Sequence, residues 1–467
     1  MRIRIIALLL LSSLISLASQ DSYKIKVKLK NNKDKKAFLA NYYNGKVFSV
    51  DTAIINSMGE AVFSKEKTLH AGLYLIYLPS KKYFDILIGK DQTFTLETDL
   101  KSPVKSMIIE GAAETEAFNK YQLFLSKKNK EKKAAFKKFE KNKEALSKTL
   151  SSIDDDVRNY INNISLKYPM SSVASFTKFT LAPKIPDYNK ILNKNIKNRK
   201  DSINTLSYYY NKNHYWDNTN FVDSTLLRTP IFKSKLDTYF NRILIPKADT
   251  IYNESVKLIE SSKDNKAMFR YITSYCFNHT LNSKIMGMDE AFFKIAKRYY
   301  LSGRAYWVSD STRTKIREEL IMIKYNLIGN KARDLKMLDI DGNWTSLYDI
   351  DAPLTLMVFW EPDCGHCKKE MPQLKKEILD KYSDRGLKIF AIYTQDNKEK
   401  WEKFVEDNDL YEFINCYDPK NSSNFGLFYN IKTTPMTYLL DKDKTIIAKK
   451  LDIKTLGEII KQNLNSH

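Results

Sequence analysis

One stretch constrains the fold of this chain more than any other. Leu354-Thr-Leu-Met-Val-Phe-Trp360 is followed by Glu-Pro-Asp and then by Cys364-Gly-His-Cys367. The run is apolar almost without a break, as in a strand buried on both faces of a parallel sheet, and the residues after it have helical spacing. A strand that turns directly into a helix puts Cys364 at the helix N-terminus. Unpaired backbone N–H groups and the helix dipole favour negative charge there, which lowers a thiol pKa. Cys367 follows one turn later. Such a dithiol can attack a disulfide through Cys364 and resolve the mixed disulfide through Cys367.

The rest of the chain has to accommodate this unit. Its 467 residues are too many for one typical core, so two or three domains are expected. A 43% hydrophobic fraction with 12% aromatic residues excludes a largely disordered protein. The formal charge of +22 raises the question of nucleic acid. The excess is dispersed among Asn, Ile and Tyr, and no Arg stripe with interleaved aromatics occurs, so no nucleic-acid partner is expected.

Residues 1–19 read as a secretory signal. Arg2 and Arg4 precede the apolar run Ile5 to Leu17, and Ser16-Leu17-Ala18 offers small residues for cleavage. The run is short for a membrane span, and no cysteine near the cleavage point could carry a lipid. The expected product is a soluble periplasmic protein rather than a transmembrane one, with an uncleaved N-terminal anchor as the alternative. Four cysteines in so long an exported chain argue against a disulfide-stapled scaffold.

Residues 20–110 read as a β-sandwich. Alternation in Tyr23-Lys-Ile-Lys-Val-Lys-Leu29, runs at Gly72 to Leu78, Phe84 to Ile88 and Thr93 to Glu97, and turns at Asn44-Gly45 and Met58-Gly59 support it. His70 stands alone and is read as structural. From 111 to 326 glycine almost vanishes and helical spacing takes over, giving a central all-α region. Helices are expected at Asp154 to Leu166, Ser171 to Leu181, Ile231 to Leu244, Thr250 to Ser261, Ala267 to Leu281 and Thr312 to Tyr325. Ser126 to Leu150 holds ten Lys against three Glu and reads as an exposed helix or hinge. Cys276 reads as a buried inert thiol, and His214 and His279 as structural.

From 327 to 467 the pattern is β-α-β-α-β-α-β-β-α. A short strand at Leu335 to Leu338 precedes Leu354 to Trp360 and the dithiol helix. Then come Leu387 to Tyr393, reached by a right-handed crossover, the helix Lys398 to Asp407, and the strand Phe413 to Tyr417. Strands at Met436 to Leu440 and Thr445 to Leu451 and a helix at Lys454 to Leu464 complete the order. The run W-x-x-x-C-x-x-C-K-K-E-x-P, with Thr434-Pro435 downstream, resembles the thioredoxin-like superfamily, and in detail the exported TlpA/ResA-type thiol:disulfide oxidoreductases grouped with AhpC/TSA proteins. The resemblance covers about the last 140 residues. The two upstream regions resemble modules of unknown function that precede such domains in Bacteroidota. The expected fold is therefore multidomain α+β: N-terminal β-sandwich, central all-α region, C-terminal thioredoxin-like α/β domain.

The resemblance implies roles by position. Cys364 is the attacking thiolate, Cys367 the resolving thiol, and Cys364–Cys367 a redox-active disulfide needing no other cofactor and no metal. Trp360 packs beneath the dithiol. Thr434-Pro435 forms the cis-proline loop, against which an extended substrate pairs like an added strand. A zinc site is not expected, because a lone C-x-x-C has no second pair of ligands. The buried acid that assists the second cysteine in thioredoxin falls at Val358, and Glu361 is the candidate replacement. Glu370 and Pro372 read as helix features, the proline setting a kink, and Cys416 as a buried strand residue.

The direction of exchange stays open at this stage. His366, Lys368 and Lys369 place cations beside the thiolate, which favours an oxidant, and Asp363 and Glu361 oppose them. Gly-His resembles the protein disulfide isomerases, whereas the TlpA/ResA-like frame implies a reductant fed by a membrane electron donor. A peroxidase is not expected, since the Pro-x-x-x-Thr-x-x-Cys loop of peroxiredoxins is absent. The remaining alternative is a partner-binding protein whose thioredoxin domain is a scaffold. The helical module could then be a homodimerisation arm or a substrate platform.

Overall fold

The computed structural model describes residues 22–465. The export signal expected over residues 1–19 lies outside them. The chain packs as two compact units, one ending at Ile243 and the other starting at Leu244.

In the first unit, eight strands make two four-stranded sheets. They are β1 (Tyr23–Lys30), β2 (Lys36–Tyr43), β3 (Lys46–Ile54), β4 (Glu60–Lys65), β5 (Gly72–Tyr77), β6 (Tyr83–Ile88), β7 (Thr93–Asp99) and β8 (Ile108–Glu110). One sheet runs β4-β1-β7-β8 and the other β3-β2-β5-β6. The alternation in β1 does what period-2 patterning requires: Tyr23, Ile25, Val27 and Leu29 point into a core shared with Phe94 of the neighbouring β7 and with Leu39, Ile76 and Ile86 of the facing sheet, while the lysines between them stay outside. Strand β5 is apolar on both faces for a separate reason. Its outward Leu73, with Leu87 of β6, lies under Phe118, Tyr121, Ile161 and Phe176 from three helices.

Those helices include Ala113–Lys138 and Lys143–Lys167, so the lysine-rich segment is neither a hinge nor a single helix. It is the turn region of a helical hairpin, with Asn142 accepting from the Ala145 N–H to start the second helix. Asp154-Asp155-Asp156 meets part of the basic run: Lys128 pairs with Asp156 and Lys132 with Asp154, both within 2.7 Å. The helix Arg199–His214 was not anticipated; it buries no residue, so the sequence shows no apolar stripe there.

The second unit begins with the helices Ala248–Ser261, Lys266–Leu281, Met288–Ile295 and Asp310–Lys324. A seven-stranded sheet follows. Its members are β9 (Lys336–Asp339), β10 (Trp344–Ser346), β11 (Leu354–Trp360), β12 (Leu387–Tyr393), β13 (Ile414–Tyr417), β14 (Met436–Asp441) and β15 (Ile446–Lys449), in the order β10-β9-β13-β12-β11-β14-β15. β11 pairs in parallel with β12 and antiparallel with β14, so it lies inside the sheet, next to the central strand β12. All seven of its residues are buried. Leu356, Val358 and Trp360 enter one core, Met357 and Phe359 the core on the opposite face. The continuous apolar run is the mark of that two-sided burial.

The helices preceding the sheet are fastened to it within this unit. Lys449, on β15 and 3% exposed, donates to Asp289 on the helix Met288–Ile295 and to the backbone carbonyl and side-chain oxygen of Asn326. Among the described residues no helix is long and apolar enough to cross a membrane.

Candidate active site

β11 ends at Trp360, and four residues later Cys364 is the N-cap of the helix Gly365–Leu374. Three features turn the chain here. The Cys364 N–H donates to the Glu361 carbonyl at 3.3 Å, the Lys368 N–H donates to the Cys364 carbonyl at 3.1 Å, and Lys400 holds the Asp363 carboxylate at 2.5 Å. Pro372 lies inside the helix, and a π-helical turn, Lys375–Leu379, follows it. Proline cannot supply the backbone donor that a regular ladder needs, so a local change of helical register is its natural consequence.

The two sulfurs are set apart by burial. Cys364 is half-buried, Cys367 fully buried. Partial burial pushes the Cys364 thiol up, but hydrogen bonds from the Cys367 and His366 backbone N–H groups and the Cys367 thiol, with the neighbouring Thr434, outweigh it, and its pKa falls below the ordinary value. Burial, the largest cause, together with the neighbouring Cys364 pushes Cys367 up to about 12, against smaller opposing effects of a hydrogen bond from the Glu361 backbone and of the neighbouring Thr434 side chain. The site thus contains one sulfur prepared to be a thiolate and one held as a thiol.

Thr434-Pro435 is a cis peptide, and it brings Thr434 to the dithiol across seventy residues of sequence: Cys364 Sγ donates to the Thr434 carbonyl at 3.1 Å. The Thr434 hydroxyl donates to Glu361 Oε1 at 2.8 Å, and Gln395 Nε2 donates to Glu361 Oε2 at 2.6 Å. Cys364, Cys367, Glu361 and Thr434 therefore form one hydrogen-bonded cluster. Gln395, just beyond β12, completes it; the sequence offered no local signal for its part. His366 is exposed on the first turn of the helix, and its backbone N–H is directed at Cys364. Trp360 is fully buried, with its ring centroid 4.9 Å from that of Phe404, in the cluster that contains Cys367. It supports the dithiol from below and presents no surface to a substrate. Val358 is buried in the same apolar cluster and leaves no acid at that position.

Cys276 and Cys416 are buried away from this cluster, each pushed up to about 12 mainly by burial.

The model of the AhpC/TSA family matches residues 328–449. The thiol-disulfide oxidoreductase ResA of Geobacillus thermodenitrificans is 30% identical over 140 residues, which span 30% of this chain and 77% of that protein. The chain belongs to the AhpC/TSA family, among its thioredoxin-like thiol-disulfide oxidoreductases. ResA of Bacillus cereus is 29% identical over 140 residues, 30% of this chain and 76% of its own. Among solved structures, the thioredoxin domain of a Bacteroides vulgatus thiol-disulfide oxidoreductase is 27% identical, with a TM-score of 0.29 over 30% of this chain and 99% of that one. A thioredoxin-like protein from Bacteroides caccae is 23% identical, with a TM-score of 0.47 over 60% and 98%. Upstream, residues 23–129 and 166–326 match two domains of unknown function, DUF4369 and DUF5106. The oxidoreductase core of this family member is thus the sheet and dithiol helix of the second unit.

Proposed function

We propose that the protein is an exported, periplasmic oxidoreductase that reduces disulfides in protein substrates through Cys364 and Cys367. The observation that carries the reading is the pairing of a half-buried, hydrogen-bonded Cys364 with a buried, high-pKa Cys367 beside Thr434. The Cys364 thiolate attacks one sulfur of the substrate disulfide, forming a mixed disulfide and releasing a substrate thiolate. Cys367 then gives up its proton and attacks Cys364 Sγ. The Cys364–Cys367 disulfide forms and the second substrate thiolate leaves, so two electrons have passed to the substrate. An extended substrate segment docks along Thr434, next to Cys364.

Glu361 is the proton acceptor for Cys367 in this scheme, with the Thr434 hydroxyl between them. That hydroxyl is a hydrogen-bond neighbour of Cys367 and donates to Glu361, so a proton can move from sulfur to hydroxyl while the hydroxyl proton moves to the carboxylate. His366 tunes the thiolate through its backbone N–H at the first turn of the helix. No metal or dissociable cofactor enters the reaction.

The reducing direction rests on the TlpA/ResA-like motif and implies a membrane electron donor. The lowered Cys364 pKa favours the opposite direction, that of an oxidant or isomerase, because it stabilises the reduced form. Equilibration of the Cys364–Cys367 pair against a glutathione series, with Cys276 and Cys416 replaced by Ala, decides between them. A potential near about −270 mV supports the reductant and one near about −180 to −120 mV the oxidant or isomerase. A pair that never forms a disulfide denies both and leaves the scaffold reading, in which the upstream modules bind a partner or dimerise.

A further inference from the structure

The loop that carries Thr434 is held from two sides. On one side is the dithiol turn, through Glu361 and Cys364. On the other is the helix Asp310–Lys324, which precedes the thioredoxin-like sheet in the same compact unit. Glu319 on that helix accepts from Lys432 Nζ at 2.5 Å through Oε2, and Asn430 Nδ2 lies 3.5 Å from its Oε1. Just past the helix, Asn326 Nδ2 donates to the Phe428 carbonyl at 3.2 Å. Asn430 is 6% exposed and takes a left-handed backbone, φ 47°, at the point where the chain turns toward Thr434.

We propose that Glu319 is a positioning residue of the oxidoreductase site: its carboxylate fixes Asn430 and Lys432, and through them the register of the substrate-docking residue Thr434. The proposal rests on the reading that Thr434 docks substrate. It gives the helix before the thioredoxin-like fold a defined part in the reaction.

The chemistry distinguishes this contact from an incidental ion pair. An isolated exposed Lys–Glu pair contributes little. Here the Glu319 side chain is only 21% exposed and gathers two side chains of the one loop between Tyr429 and Met436, one of them almost fully buried. Thr434, two residues beyond Lys432, must present its backbone to an incoming segment while its carbonyl stays beside Cys364. A small displacement of a docking group is enough to weaken productive binding without altering the reacting sulfur. Glu319 has no hydrogen bond to either sulfur, and the backbone N–H groups of His366 and Cys367 that favour the Cys364 thiolate do not depend on it, so its effect reaches the sulfur only through Thr434.

The test compares the full chain with Glu319→Ala, Glu319→Gln and the charge exchange E319K/K432E. Steady-state reduction of insulin disulfides, with dithiothreitol regenerating the dithiol, is measured together with the pH dependence of Cys364 alkylation by iodoacetamide in the pre-reduced protein. Glu319→Ala is expected to raise KM for insulin about three- to tenfold with kcat within about twofold and an alkylation midpoint still below that of an ordinary thiol, because the backbone N–H groups that lower it stay in place. Glu319→Gln, which keeps an acceptor for Asn430 and loses only the charge, should fall between the two. The exchange variant should recover most of the loss, because the Asn430 amide can turn its oxygen toward a lysine. Should Glu319→Ala fail to fold, Lys432→Met reads the same contact from the exposed loop side, with the same rise in KM. An unchanged KM in Glu319→Ala or Lys432→Met overturns the proposal, and so does a rise that the charge exchange does not recover or a fall in kcat of the same size. A wild-type protein that reduces no insulin overturns the oxidoreductase reading itself, which is a different result from an active wild type with indifferent variants.

Discussion

Replacing Glu361 by Gln should separate the two halves of the exchange. With a Cys367 pKa of about 12, the thiolate fraction at pH 7 is about 10⁻⁵, so resolution cannot depend on a standing population of Cys367 thiolate. Once Cys364 is tied up in a mixed disulfide, the part of the rise that its thiolate causes disappears, but burial, the largest cause, remains. Positioned general bases contribute about 10²–10⁴-fold. Glu361→Gln keeps the acceptor for the Thr434 hydroxyl and loses the base. Resolution should slow by about 100-fold at pH 7, and the residual rate should climb about tenfold per pH unit as hydroxide takes over. Attack by Cys364 should stay close to wild type. An aromatic disulfide whose thiol is coloured reports both steps in one stopped-flow trace: the first release is attack, the second resolution. Cys367→Ala identifies the second phase by abolishing it. A second phase in Glu361→Gln with the wild-type rate and wild-type pH slope would refute the proton-acceptor role.

The remaining predictions concern the other thiols and the packing of the helices. Native protein near neutral pH should take one equivalent of iodoacetamide, at Cys364, because Cys276, Cys367 and Cys416 are buried with pKa values of about 12; equal labelling of any of these three would contradict it. Asp289→Ala leaves the buried Lys449 with only Asn326 and should cost about 2–4 kcal/mol in denaturant unfolding; a loss under about 1 kcal/mol would show that the pair is not buried as described. Burial lowers the Lys449 pKa and Asp289 opposes that, so between the folded value and the unfolded value of about 10.4 the unfolded chain binds more protons and stability rises with pH. Without Asp289 the folded value drops further. The deficit of the variant should therefore be largest near neutrality and shrink as the pH is raised toward 10.4.

The sequence revealed what local pattern controls. Leu354–Trp360 and Leu387–Tyr393 were legible to the residue because both their faces are buried, and two-sided burial leaves an unbroken apolar run. Cys364 at the start of a helix was legible because strand, C-x-x-C and helical spacing are adjacent in the chain. The short edge strand Trp344–Ser346 and the helix Arg199–His214 were missed, the first having one fully buried residue and the second none. Contacts between distant residues left no trace at all. Glu361 was suspected, but its tie to Gln395 spans 34 residues and the Glu319–Lys432 pair spans 113, and no periodicity encodes either. Similarly, the helical, glycine-poor composition runs unchanged through Ile243 and Leu244, so the division between the two compact units there cannot be seen in it.

In the proposed exchange Cys364 alone meets the substrate and Cys367 alone releases it. The most direct measurement is mass spectrometry of the Cys367→Ala variant mixed with an oxidised protein substrate such as insulin. A stable, dithiothreitol-sensitive mixed disulfide mapped to Cys364 is expected, with no comparable adduct on the wild type. No adduct, or an adduct formed through Cys367 in a Cys364→Ala variant, would contradict it.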